Sequence, residues 1–278
     1  MLRIAIQSKG RLYEESMALL EEAGIKIPGG KRTLLVPARN FPVEVLFLRD
    51  DDIPESVASG VADVGIVGLN EVMEKRCPVG ILKKLGFGKC RLSLAIPQNI
   101  DYQDRNWFSG KKIATSYPGI LSDYLHKNGI VSDIHVITGS VEIAPGIRLA
   151  DAIFDIVSSG STLVSNRLKE VETVVESEAV LIGTDSISPE KRGILDELLF
   201  RFDSVQAADD KKYILMNVPQ KKLNDVLSVL PGIKSPTVMP LADKEWCSVH
   251  TVLDEKCFWE IINRLKTAGA EGILVLDI

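Results

Sequence analysis

Short apolar runs alternate along this chain with stretches of helical period. Leu2 to Gln7 reads as a strand. Leu12 to Glu22 follows as an amphipathic helix with Leu12, Met17, Ala18, Leu19 and Leu20 on its apolar face and Gly24 as its stop. Thr33 to Val36, Val43 to Leu48, Val61 to Gly68, Leu92 to Pro97, Lys111 to Thr115, Val131 to Ile137 and Thr173 to Ile182 predict further strands. Proline suits a helix's first turn, so helices are expected after Pro54, from Pro118 to about Lys127, and from Pro189 to Phe202. One of Asp50, Asp51 and Asp52 can cap the first of these. The alternation predicts an α/β chain with a mostly parallel sheet in each of two lobes. Gly86 to Arg91, glycine-rich and basic, is the expected hinge. Lobe I then covers 1–90 and is completed by about 183–205, and lobe II covers 91–182. From Lys211 the order becomes strand (Tyr213 to Val218), helix (Lys222 to Val229), strand (Thr237 to Pro240), strand (Trp246 to Leu253), helix (Lys256 to Ala268), strand (Glu271 to Leu276). That is a ferredoxin-like α+β domain at 206–278, a small module suited to regulation or assembly.

The chemistry concentrates in Asp151-Ala-Ile-Phe-Asp155-Ile-Val-Ser158-Ser159-Gly160-Ser161-Thr162-Leu163. A buried strand runs into a loop of hydroxyls around a glycine, and Thr162 to Leu168 can continue as a helix. Converging backbone N–H groups and hydroxyls at such a junction hold a phosphate, and glycine lets the backbone approach it. Asp151 and Asp155 can accept hydrogen bonds from vicinal hydroxyls or hold a cation beside a phosphate. Together these describe a phosphoribosyl site. The plainer alternative is an ordinary strand–turn–helix with solvated aspartates. Lys9, Gly10 and Arg11 form a basic turn at a strand mouth, suited to a polyphosphate or simply to solvent. Arg49 at a strand end can hold pyrophosphate in a bidentate way or brace the Asp50–Asp52 turn. Glycines at the end of Val61 to Gly68 let a flat base or a phosphate approach the backbone.

The 278 residues suggest about two domains, and a formal net charge of −5 argues against nucleic-acid or anionic-membrane partners. The N-terminus lacks signal-peptide organisation, and no apolar run is long enough to span a membrane. Cys77, Cys90, Cys247 and Cys257 lack CxxC spacing and read as reduced thiols of a cytoplasmic protein. His126, His135 and His250 form no recognisable triad with Ser and Asp.

The Asp151–Leu163 stretch resembles the phosphoribosyl-pyrophosphate (PRPP) motif of the ATP phosphoribosyltransferase family. Ser8-Lys9-Gly10-Arg11-Leu12 and Arg49-Asp50-Asp51-Asp52-Ile53-Pro54 also look like that family. Asp63-Val-Gly65-Ile-Val-Gly68 resembles the ligand loops of type II periplasmic-binding-protein folds. Gly232 to Asp243 and Thr267 to Leu274 resemble the C-terminal regulatory domain of the family's long form. The resemblance implies a two-lobed catalytic core of that type II fold plus the ferredoxin-like domain. It implies the first step of L-histidine biosynthesis, in which ATP and PRPP give N1-(5-phosphoribosyl)-ATP and pyrophosphate. In that reading Ser158, Ser159, Gly160, Ser161 and Thr162 hold the 5′-phosphate, and Asp151 and Asp155 hold the ribose. Lys9, Gly10, Arg11, Gly68 and Thr115 meet ATP or pyrophosphate, and Arg32, Arg49 and Asp155 serve catalysis. Mg²⁺ enters with PRPP, with no dedicated protein ligands named. Histidine inhibits, with Ser235, Thr237 and Ala270 as its contacts, and the chain forms a homo-hexamer in equilibrium with a dimer. One departure stands out: Arg148 occupies a loop position where the family has glycine, which costs strain if φ is positive there. The competing readings are a non-catalytic binder of small anions or nucleotides and a regulatory paralogue of the same fold.

Overall fold

The computed structural model describes residues 1–28, 33–209, 211–231 and 235–278. It divides into two units, Met1–Phe202 and Asp203–Ile278.

The first unit holds two sheets. β1 (Leu2–Gln7) is flanked by β3 (Val43–Leu48) and β4 (Val64–Gly68), both parallel to it. Leu2, Ile4, Ala5 and Ile6 are all fully buried, so this strand is covered on both faces and reads as a continuous apolar run rather than an alternating one. β2 (Leu35–Pro37) pairs antiparallel at one edge. At the other edge, β11 (Ala179–Gly183) inserts antiparallel between β4 and β5 (Gly80–Lys84). The second sheet has the order β10-β6-β9-β7-β8. Here β7 (Lys112–Thr115) runs parallel to β8 (Asp133–Val136) and β9 (Ala152–Val157). β6 (Cys90–Pro97) pairs antiparallel with β9 and β10 (Leu168–Ser177).

Both sheets are therefore mixed, not mostly parallel. The reason is the crossing segments: β6 and β11 each enter a sheet from the other lobe and run against their neighbours. The strand expected from Thr173 to Ile182 is also not one strand. It breaks at Glu178, with Ser177 ending β10 in one sheet and Ala179 opening β11 in the other. β5 carries no alternation that would mark it and lies at an edge.

The helices sit at the carboxyl ends of the parallel strands. α1 (Arg11–Glu22) follows β1, and α3 (Leu69–Lys75) follows β4. α4 (Pro118–Lys127) follows β7, and α5 (Ser161–Ser165) follows β9. α5 stops short of Leu168, which is buried as the first residue of β10. α2 (Ile53–Ala58) follows a 3₁₀ turn at Asp50–Asp52, and no aspartate side chain caps it. α6 (Pro189–Ala208) is longer than expected and returns to lobe I, where Lys191 Nζ meets Asp63 and the Arg201 guanidinium lies over Phe41. Arg148 has φ 60, so the position where the family places glycine is left-handed here and the arginine bears that strain.

The second unit has the sheet order β13-β14-β12-β15, all pairs antiparallel. Its strands are β12 (Lys211–Pro219), β13 (Thr237–Pro240), β14 (Trp246–Asp254) and β15 (Glu271–Asp277), and its helices are α7 (Leu223–Val229) and α8 (Glu255–Ala268). Ile214, Met216, Val218, Val249 and Leu253 pack with Phe258, Ile261 and Leu265 of α8 on one face. Leu274 and Leu276, on alternate positions of β15, stay 55% and 49% exposed. Among the described residues, no helix is long and apolar enough to cross a membrane.

Candidate functional site

The loop after β9 is built by glycine and hydroxyls. Gly160 has φ 81 and leads into α5 through a left-handed turn that an L side chain resists. Ser158, Ser159, Ser161 and Thr162 are all exposed, so their hydroxyls and nearby N–H groups are open to a ligand. Ser159 Oγ and Ser161 Oγ lie 3.0 Å apart. A brace behind the loop was not foreseen: Arg91 Nη1 donates to the Ser158 carbonyl at 3.1 Å. The same guanidinium grips Glu170 through Nε at 2.6 Å and Nη2 at 2.5 Å. That paired contact, helped by Ser93, holds the Glu170 carboxyl down at about 2.

Asp155 lies two residues before the end of β9. Burial raises its carboxyl to about 6, opposed by the Ile156 N–H that donates to Oδ1 at 2.8 Å and assisted by Glu142. A carboxylate balanced near neutrality beside a hydroxyl loop is what a functional acid looks like. Asp151 does not join it. Four residues of strand at about 3.3 Å each put it roughly 13 Å from Asp155. There it caps the start of β7, accepting from Lys112 N at 2.8 Å. Asp151 stands just before β9 and Asp155 near its carboxyl end, so the two acids do not share one end of the strand.

Lys9 and Arg49 come together with Gln7, Ser8 and Asp50 around a cavity of about 430 Å³. Gly10 has φ 93 and opens α1. Arg49 is 78% exposed, with Nε 3.3 Å from Asp51 Oδ1, so it braces the turn and still faces solvent. Arg11 reaches the crossing segment, donating to the Lys89 carbonyl at 3.4 Å. A second cavity of about 450 Å³ lies there, lined by Lys84, Lys89, Cys90, Arg91 and Ser158 among others. It joins the phosphate-loop end of lobe II to the crossing strands. Arg32 lies outside the described residues.

Two expected contacts are used otherwise. The space over Gly68 is filled by its neighbour, since an added Cβ would sit 2.4 Å from Asn70 Oδ1. That glycine makes room for asparagine, not for a base or a phosphate. Thr115 is fully buried, and its Oγ1 accepts from Tyr117 N at 2.8 Å.

A buried polar cluster sits beside them. Tyr117 Oη donates to Glu71 Oε1 at 2.7 Å, and Asn70 Nδ2 donates to the same oxygen at 3.1 Å. Ser177 Oγ donates to Asn70 Oδ1 at 2.8 Å. Burial raises Glu71, with the Tyr117 bond opposing. Burial and then Glu71 raise Tyr117, which also feels Asp155. None of these residues stood out in the sequence, although Tyr117 before Pro118 marked a strand-to-helix turn. In the second unit Thr237 and Ala270 lie at opposite edges of the sheet, three strand spacings or about 14 Å apart. Ser235, exposed just before β13, lies on the Thr237 side. The Ala270 N–H is already committed to Leu265 O, which corrects it as a ligand donor.

The sequence matches the family model described as ATP phosphoribosyltransferase over residues 49–204 and the HisG C-terminal domain over 208–278. A protein of Bacteroides fragilis named ATP phosphoribosyltransferase is 70% identical over 278 residues, covering 100% of this chain and 98% of that one. Among solved structures, the ATP phosphoribosyl transferase (HisG:HisZ) complex from Thermotoga maritima matches with TM-score 0.65 and 27% identity, over 75% of this chain and 100% of that chain. A putative periplasmic sulfonate-binding protein from Methylobacillus flagellatus matches with TM-score 0.51 at 17% identity, over 75% and 69%, a likeness of fold alone.

Proposed function

This chain belongs to the ATP phosphoribosyltransferase family, and on that premise we propose how its own residues divide the work. It is an ATP phosphoribosyltransferase of histidine biosynthesis. Adenine N1 attacks C1 of the PRPP ribose, and pyrophosphate leaves. Adenine N1 already offers a lone pair at neutral pH, so no strong base is required. Catalysis rests on positioning and on stabilising charge.

Ser158 to Thr162 take the 5′-phosphate, and Arg91 fixes the loop through the Ser158 carbonyl. Asp155 accepts from a ribose hydroxyl, a task that needs its ionised form. Lys9, Arg11 and Arg49 meet the pyrophosphate and the ATP phosphates from lobe I, and Arg32 belongs with them by the family pattern. Asp151, Gly68 and Thr115 are left out of the contacts for the reasons of placement given above. The observation that carries the reading is Asp155, held near neutrality two residues before the end of β9 and followed by the open hydroxyl loop.

The family uses a metal ion, and Mg²⁺ carried by PRPP suits this chain. Asp155 and the loop hydroxyls offer single oxygen donors, and magnesium prefers substrate phosphates and water to an all-protein cage. When bound it neutralises charge on the pyrophosphate.

The exposed Leu274 and Leu276 support self-association through the sheet of the second unit, in line with a hexamer exchanging with dimers. Histidine as inhibitor fits the same domain. One chain does not bring Ser235 or Thr237 to Ala270, so a histidine site there requires more than one copy. A cytoplasmic location follows from the biosynthetic role. Asp155→Asn tests the site: loss of turnover with weakened PRPP binding is expected, and unchanged turnover and affinity would remove Asp155 from it.

A further inference from the structure

The buried cluster under the cleft links parts that belong to different lobes. Asn70 and Glu71 lie on α3 in lobe I, Tyr117 on the turn between β7 and α4 in lobe II, and Ser177 at the end of β10 just before the crossing. Ser177 and Asn70 bond each other in both directions, since the Asn70 N–H donates back to Ser177 Oγ at 3.1 Å, and the side-chain donors lead on to Glu71. Ser177 gives to Asn70, Asn70 gives to Glu71, and Tyr117 gives to Glu71. A buried carboxylate is costly unless donors converge on it, and here two converge on a single oxygen. The charges around it are mostly of its own sign: Asp50 and Asp51 disfavour its ionised form and only Lys75 favours it. It is held by its hydrogen bonds, not by a counter-ion.

The seam continues along α3. Glu74 accepts from Gly119 N at 2.8 Å and Ile120 N at 2.9 Å, so a lobe I carboxylate sits on the N-terminus of α4. Arg76 Nη2 then reaches Asp123 Oδ2 at 2.7 Å and the Gly119 carbonyl at 3.0 Å. The start of α4, the Thr115–Tyr117 turn behind it and the end of β7 are thus tied to lobe I. Thr115 pairs with Phe154, the residue before Asp155. Whatever fixes this turn fixes the floor beside Asp155.

We infer that Glu71, acting through Tyr117, is a positioning residue that sets lobe I against lobe II across the cleft. It does not touch substrate. It places Lys9, Arg11 and Arg49 of lobe I opposite Asp155 and the hydroxyl loop of lobe II. The inference rests on the phosphoribosyltransferase reading of this cleft.

The test compares Tyr117→Phe, Glu71→Gln and the double variant by steady-state kinetics and by calorimetry with ribose 5-phosphate. That probe lacks pyrophosphate, so on the proposed site it reaches lobe II alone. Losing a hydrogen bond to a charged group should lower kcat by about 10- to 100-fold in Tyr117→Phe. The ribose 5-phosphate Kd should stay within about twofold, and the double variant should be no worse than the single by more than about twofold. A folded Tyr117→Phe protein with wild-type kcat overturns the inference. So does a Kd weakened as much as kcat, or additive losses in the double variant. If Tyr117→Phe does not fold, Glu71→Gln, which keeps the side-chain shape, decides by the same split. Wild-type protein that makes no product would instead sink the proposed function.

Discussion

Asp155 shows how one residue's surroundings set its chemistry. Its folded carboxyl is raised from 3.8 to about 6, chiefly by burial. A raised acid is easier to protonate folded than unfolded. Its contribution to stability is therefore fully present below the unfolded value and is lost as pH rises through about 6. Two pKa units correspond to about 3 kcal/mol. Asp155→Asn, which keeps an oxygen for the Ile156 N–H, should be up to about 3 kcal/mol more stable than wild type at pH 8. The two should be nearly equal at pH 4, and urea unfolding at both values checks this. Activity runs the other way. A protonated Asp155 is a poor acceptor for ribose, so kcat/KM should fall as pH drops through about 6. The Asn variant should lose roughly 10- to 100-fold at neutral pH, and a pH–rate profile that is flat between 5 and 8 would count against this role.

At the scale of elements, the order strand, loop, helix around Gly160 is readable from the sequence because its signals are local, although α5 ends at Ser165 and not at Leu168. The hydroxyls, the glycine and the apolar strand are contiguous, and no distant residue is needed to read them. Gly160→Ala should fold, since a new Cβ meets nothing nearer than Val157 Cγ1 at 3.9 Å. It should cost about 1–2 kcal/mol in stability from the left-handed backbone, read as a lower thermal midpoint, with weaker PRPP binding. Elements whose meaning depends on distant partners were harder to read. Thr173 to Ile182 reads as one strand in sequence and is two in space, and the polar Glu176-Ser177-Glu178 at its middle marks the break without saying that the chain crosses between lobes there. Asp151 and Asp155 look equivalent four residues apart, but the length of β9 separates their surroundings. Gly68 signalled a close approach without saying that Asn70 makes it. Arg91, Glu170 and the Glu71–Tyr117 pair are joined over dozens of residues and leave no spacing to recognise.

At the scale of the molecule, two lobes crossed twice by the chain and a separate ferredoxin-like unit were legible from the change of period after Lys211 and from the spaced family motifs. The mixed direction of both sheets was not, since strand direction follows from topology and not from apolar pattern. The exposed Leu274 and Leu276 carry a prediction here. Leu274→Glu with Leu276→Lys should shift the sedimenting mass toward smaller species while ribose 5-phosphate binding in the first unit holds. Unchanged mass would place the assembly surface elsewhere.

The most direct measurement is ultraviolet absorbance of the purified protein with ATP, PRPP and Mg²⁺, with and without L-histidine. The account predicts an absorbance rise that requires both substrates and is slowed about 10- to 100-fold in Asp155→Asn, and the rise should shrink when histidine is added. A wild-type protein that binds PRPP but shows no rise would contradict it and leave a binding protein of the same fold.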